Sequence, residues 1–60
     1  MRNYFLYIQD SRYSVPQFLV IDATDDEHSL TLAREYLQRS PNYLAIEVVD
    51  GEREVGRVAR

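Results

Sequence analysis

The chain has 60 residues, with 10 acidic side chains against 7 basic ones, all arginine, and a formal net charge of -3. It contains no cysteine, which excludes a disulfide framework and a cysteine zinc site. The acidic balance argues against broad binding to nucleic acid or to an anionic membrane surface, because both depend on cationic side chains.

Two strand-like segments come first along the chain. Residues 4–9 and 17–23 are rich in aromatic and aliphatic side chains, a composition typical of β-strands. The residues between them, 10–16, are rich in turn formers and end at Pro16, which cannot donate a hydrogen bond to a sheet. We therefore predict a hairpin with a loop of several residues.

A helix is predicted to follow the second strand. Thr24 and Glu27 have the spacing of a capping box, in which each side chain accepts a hydrogen bond from the backbone amide of the other residue. The two acidic residues between them add negative charge at the positive end of the helix dipole. The helix is expected to end near Arg39, because the residue before Pro41 disfavours helical geometry.

The last third of the chain predicts a second hairpin. Its strands, residues 43–49 and 52–58, flank the pair Asp50-Gly51. Asp-Gly is the strongest short signal for a tight hairpin turn, because both central residues of a type I′ turn have positive φ. We therefore expect positive φ at Gly51.

Two registers compete for this second hairpin. A type I′ turn centred on Asp50-Gly51 places Glu47 opposite Glu54, which is a mildly unfavourable pair of like charges. A bulged turn instead places Glu47 opposite Arg53. The sequence leaves both registers open.

The element order ββαββ predicts an α+β fold with a four-stranded antiparallel sheet. The helix connects strands 2 and 3, so these run parallel, and strand 1 fits between them because it is antiparallel to both. The expected strand order is 2-1-3-4, with the helix packed on one face. The side chains expected to face the helix are Tyr4, Leu6, Ile8, Leu19, Ile21, Ala23, Leu44, Ile46, Val48 and Val55.

The opposite face of the predicted sheet is also apolar. Its expected members are Phe5, Tyr7, Phe18, Val20, Ala45, Val49 and Val58. An antiparallel sheet face in water is normally polar, and one short helix cannot cover both faces. A contiguous apolar surface on a small domain marks a partner site. We therefore predict a protein–protein interaction module that forms a homodimer, or binds another protein, through Phe5, Tyr7, Phe18, Val20 and Val49.

The helix offers a second candidate surface. Leu30, Ala33 and Leu37 form one apolar stripe at helical spacing, and Leu32 and Tyr36 widen that stripe on one side. The stripe is wider than a single contact with the sheet requires. We therefore predict a helix-edge interface at Leu32 and Tyr36.

No constellation of side chains in the sequence predicts catalysis. His28 is the only histidine, and the neighbouring Asp25 and Asp26 point in different directions from a helix start, so no metal site is expected. The serines have no positioned histidine, and a domain of this size has little volume for the pocket that a general acid needs. We predict no enzyme activity, no cofactor and no small-molecule substrate.

The three rings Phe5, Tyr7 and Phe18 suggest an alternative function, because single-stranded nucleic acid stacks its bases on aromatic side chains of open sheets. Basic residues should flank such a platform, and the first two strands supply only Arg2 and Arg12. Nucleic acid is therefore the weaker expectation.

Location and domain count follow from the apolar pattern. No run approaches the ~18 apolar residues of a membrane helix, so no membrane span is predicted. The N-terminus lacks a long apolar signal region, so we expect a cytoplasmic protein. Residues 1–60 are expected to form one domain.

The chain resembles a loose group of short bacterial proteins of no established function. The segments that carry the resemblance are 4–10, 23–27 and 47–55. The resemblance implies a stand-alone small protein and carries no catalytic or binding residues. The strands followed by a helix that starts with Thr and Glu are also similar to small antitoxin domains, which implies an inhibitor of a larger protein as a further alternative.

Overall fold

The computed structural model describes residues 2–60 as two hairpins separated by one helix. The elements are β1 (Arg2–Asp10), β2 (Gln17–Ala23), α1 (Asp26–Leu37), β3 (Tyr43–Asp50) and β4 (Arg53–Ala59). The strands form one antiparallel sheet in the order β2-β1-β3-β4, and α1 packs on one face of it. The predicted α+β fold, its element order and the central position of β1 are confirmed.

The helix-covered face of the sheet holds the core. Its buried apolar side chains are Tyr4, Leu6, Ile8, Ala23, Ala33, Leu37, Ile46, Val48 and Val58. The helix packs mainly against β3 and β4 and less against β2. Leu19 and Ile21 of β2 therefore reach the core but stay only half-buried.

The start of β3 departs from the predicted alternation. Leu44 was expected to face the helix, but it is 48% exposed. The register between β1 and β3 shifts between Gln9 and Asp10, so that Tyr43 and Ala45 have partners in β1 and Leu44 has none. A bulge of this kind turns the extra residue out of the regular pleat.

The tight turn between β3 and β4 differs from both predicted registers. Its central residues are Gly51 and Glu52, and Asp50 lies opposite Arg53. Gly51 has the expected positive φ, +63°, while Glu52 does not. Positive φ at the first central position alone is the pattern of a type II′ turn, which requires glycine there.

A second register shift changes which side of β4 faces the helix. It lies between Val48 and Val49, where Val55 is the extra residue of β4. As a result Glu47 faces Arg57, so both predicted partners of Glu47 are wrong. Val58, expected on the open face, instead lies opposite Ile46 in the core.

The N-cap of α1 is Asp25, so the predicted capping box at Thr24 and Glu27 is wrong. The Asp25 carboxylate accepts a hydrogen bond from the His28 amide at 2.8 Å. His28 Nδ1 in turn accepts one from the Thr24 amide at 3.0 Å. The side chain of His28 therefore accepts the hydrogen bond from the Thr24 amide that was expected to go to Glu27, the preceding residue.

The helix ends at Leu37, two residues before the predicted Arg39. The side chain of Arg60 supplies donors for the exposed carbonyl oxygens at this end. Its guanidinium bonds to the Leu37 oxygen at 2.6 Å and to the Ser40 oxygen, and its Nε donates to the Tyr43 oxygen at 2.7 Å. A residue distant in sequence thus satisfies the last carbonyl group of the helix, that of Leu37, and also holds the turn that follows.

Candidate interaction surface

The strand register places the side chains of the helix-free face in rows that cross the sheet. Two adjacent rows are Val20–Phe5–Val49 and Phe18–Tyr7–Glu47–Arg57. The apolar members of these rows lie on β2, β1 and the end of β3. The predicted interface residues Phe5, Tyr7, Phe18, Val20 and Val49 are therefore neighbours, and we call them the aromatic patch.

Phe18 is the centre of the ring contacts in the aromatic patch. Its ring stacks on Phe5 with 5.4 Å between centroids and 24° between planes. It also lies 5.4 Å from the Tyr7 ring at an interplanar angle of 53°. Offset stacked and tilted rings at these distances attract one another, so the three rings hold a shared arrangement on the surface.

Much of the aromatic patch stays in contact with water. The exposed fractions are 57% for Phe18, 48% for Val20 and 39% for Tyr7. Phe5 and Val49 are half-buried. Large apolar side chains that are exposed together, rather than singly, need an explanation beyond the fold of one chain.

An open depression adjoins the aromatic patch on the same face. Its lining residues are Tyr7, Gln9, Pro16, Ala45, Glu47 and Arg57. Ala45 is buried among larger neighbours, so its small side chain leaves room at the floor of the depression. Sequence reasoning missed this feature, because Pro16 reaches the site from a loop whose path the sequence does not specify.

A charged cluster ties the start of the helix to the sheet. Asp26 accepts hydrogen bonds from the Tyr4 hydroxyl at 2.8 Å and from both terminal nitrogens of Arg53 at 2.8 and 2.9 Å. Arg53 also bonds to Asp50 at 3.1 Å, and Arg2 pairs with the same carboxylate. These donors, Arg53 first and Tyr4 second, lower the pKa of Asp26 to about 2.

Asp10 is a buried carboxylate at the end of β1. It accepts hydrogen bonds from the Arg12 amide at 2.9 Å and from the Arg12 guanidinium at 3.1 and 2.8 Å. The hydrogen bonds from Arg12 hold the pKa of Asp10 below its usual value. Asp10 and Asp26 thus both have lowered pKa values because they form ion pairs with arginine. These ion pairs hold the loop after β1 and the start of α1 in place, which is a structural role for the charges.

The predicted helix edge is largely occupied within the chain. Leu32 and Tyr36 are half-buried and pack against the core. The Tyr36 ring stacks on Tyr43 with 5.7 Å between centroids, and the Arg39 guanidinium lies 4.8 Å from the Tyr36 centroid. The interface role of Leu32 and Tyr36 stays a prediction.

Comparison with protein-family models, curated proteins and solved structures found no match to this chain. The resemblance to short bacterial proteins therefore stays a prediction. Across residues 2–60, no helix has the length and apolar character needed to cross a membrane. Within the same residues, no group of three or more His, Asp or Glu side chains is arranged to hold a metal ion.

Proposed function

We propose that this protein is a small, non-catalytic interaction module that forms a homodimer through the helix-free face of its sheet. The aromatic patch carries this proposal, because its rings are packed together and yet remain exposed. Full burial of one such side chain contributes about 1.5–3 kcal/mol. The five side chains of the patch are already partly covered in one chain, so each gains roughly half of that on association. Summed over both copies, this gain is comparable to the association cost of about 4–15 kcal/mol.

The size of the face suits a second copy of the chain. The molecule measures 31 by 20 Å along its two longer axes, which allows an interface on the order of 600 Å² per copy. Stable interfaces bury about 600–1,000 Å² per partner, so nearly the whole face has to take part. A partner of the same dimensions meets that requirement.

The shape of the face is also self-complementary. A two-fold interface places the same surface on both sides, so it needs projections together with recesses that receive them. Phe18 projects from β2, and the depression around Ala45 lies on the same face. Within each copy Glu47 lies opposite Arg57, which balances one acidic charge near the centre of the face, while Glu54 and Asp22 add negative charge towards its edges.

Sedimentation of charge variants tests this proposal. We expect the parent chain to self-associate at micromolar concentration and Val20→Lys to be a folded monomer, because the charge replaces shared apolar area. Leu44→Lys is the matched control, since Leu44 has the same 48% exposure but lies outside the aromatic patch. A monomeric parent chain would refute the homodimer, as would equal dissociation by Leu44→Lys.

The ring cluster also supports one alternative function, the binding of single-stranded nucleic acid. Phe5, Tyr7 and Phe18 form a continuous aromatic surface, and Arg57 lies in the same row as Tyr7 and Phe18. Glu47 sits between the rings and that arginine, which weakens attraction for phosphate. Salt-dependent retention of the parent chain on a single-stranded oligonucleotide column, lost in Phe18→Ala, would favour this alternative over the homodimer.

A further inference from the structure

The two edge strands of the sheet differ in how they are protected against pairing. β4 carries Arg53, Glu54 and Arg57 and is interrupted by the register shift at Val55. Charges and bulges are the features by which edge strands avoid pairing with another chain. β2 pairs with β1 without interruption, and its only charge is at Asp22.

β2 is also incompletely covered on both of its faces. On the open face it presents the exposed side chains of Phe18 and Val20. On the helix-covered face Leu19 and Ile21 are only half-buried, because α1 lies nearer to β3 and β4. A regular, apolar edge strand with unpaired backbone groups is a template for a further strand.

We infer that β2 pairs in antiparallel fashion with β2 of a second copy, forming a continuous eight-stranded sheet. With the two-fold axis beside Val20, that residue lies opposite its own counterpart, and Leu19 lies opposite Ile21 of the second copy. Directly opposite residues of antiparallel strands point to the same face, so both helices lie on one side of the joined sheet. The half-buried row at Leu19 and Ile21 then gains the apolar neighbours that it lacks in one copy.

The charge pattern favours a second copy over an unrelated strand. In this register Asp22 lies opposite Phe18, so no like charges face each other across the pair. A parallel arrangement would instead bring the two Asp22 carboxylates close together. The neutral run from Gln17 to Ile21 also offers no counter-charge to a charged peptide.

This edge is distinct from the face used in the proposed function. Edge pairing leaves both aromatic patches open and places them side by side on the same surface of the joined sheet. When both contacts form, two edge-paired dimers stack face to face. The expected assembly of the parent chain then has four copies.

Sedimentation of three variants separates the two contacts. Ile21→Lys puts a charge on the helix-covered side of the edge, so we expect it to halve the assembly mass and leave the face contact. Phe18→Lys removes the face contact but places lysine opposite Asp22 of the second copy, so edge pairing survives and the mass is again halved. Val55→Lys adds the same charge to the other edge strand and should leave the mass unchanged.

The outcomes distinguish failure of this inference from failure of the proposed function. If Ile21→Lys keeps the mass of the parent chain while Phe18→Lys reduces it, the edge contact is wrong and the face contact stands. If Phe18→Lys keeps that mass while Ile21→Lys reduces it, the edge contact alone stands. A monomeric parent chain overturns both.

Amide hydrogen exchange of the parent chain provides a second test that needs no variant. We expect the outward-pointing amides of β2 to exchange about tenfold or more slowly than those of β4, because only the former are bonded to another strand. Equal exchange at the two edges would overturn the inference. This comparison remains decisive if Ile21→Lys fails to fold.

Discussion

The two faces of the sheet are formed by the same strands, but one face is buried and the other is largely exposed. On the helix-covered side of β1, Tyr4, Leu6 and Ile8 are at most 1% exposed. On the other side, Tyr7 and its neighbour Phe18 are 39% and 57% exposed. The strands are apolar on both sides, so the position of the single helix, and not strand hydrophobicity, decides which side becomes core. The fold of one chain does not require the second apolar face, which is why we propose that this face serves association.

The largest contrast between the faces should appear on truncation. Leu6→Ala should lower the free energy of unfolding by about 2–5 kcal/mol, because it removes buried methyl groups and leaves a cavity under α1. Val20→Ala, on the open face, should leave the stability of the isolated chain within about 0.5 kcal/mol. Urea unfolding at a concentration low enough to suppress association measures both values.

Similar losses for these two variants would contradict the comparison. They would mean that the open face is packed within one chain as tightly as the core. The proposed association would then lose its physical basis.

A smaller effect is expected where the helix begins, since this end holds α1 over one face. Asp25→Ala should lower the free energy of unfolding by about 1 kcal/mol, because the His28 amide loses its acceptor. Thr24→Ala is the matched control, since its contact with His28 through the backbone amide survives. Thermal unfolding of the two variants compares them, and a larger loss for Thr24→Ala would restore the cap predicted from the sequence.

The smallest effect is a dependence on pH of the contact between helix and sheet. Asp26 has a pKa of about 2 in the folded protein, against an ordinary value of 3.8. A carboxyl group whose pKa is lowered by folding stabilises the folded protein at pH values above the ordinary pKa. This contribution disappears as the pH falls from about 4 towards 2. Chemical denaturation between pH 5 and pH 2 should therefore show a smaller acid loss for Asp26→Asn than for the parent chain.

Asp10 titrates in the same direction, because its pKa is also lowered by arginine. The difference in acid-induced loss of stability between Asp26→Asn and the parent chain gives the part of that loss that is due to Asp26. A carboxyl titration by NMR that places Asp26 at its ordinary pKa would contradict the assignment of Arg53 and Tyr4 as its donors.

The sequence by itself determined the elements, their order and the surplus apolar surface. Alternating apolar residues mark strands, because successive side chains point to opposite faces, and helical spacing marks α1 for the same local reason. The order 2-1-3-4 follows from connection rules that need no side-chain detail. The members of the aromatic patch were predictable too. β1 and β2 pair without a register shift, so their side chains alternate regularly between the two faces of the sheet.

Only the tertiary structure decided the features that depend on a shift of one residue or on contacts distant in sequence. The bulges at Leu44 and Val55 moved Leu44 out of the core and Val58 into it. Because side chains alternate along a strand, one extra residue exchanges the two faces for everything beyond it. The ion pair of Asp26 with Arg53 and the depression beside the aromatic patch have the same origin: each joins residues that only the folded sheet brings together.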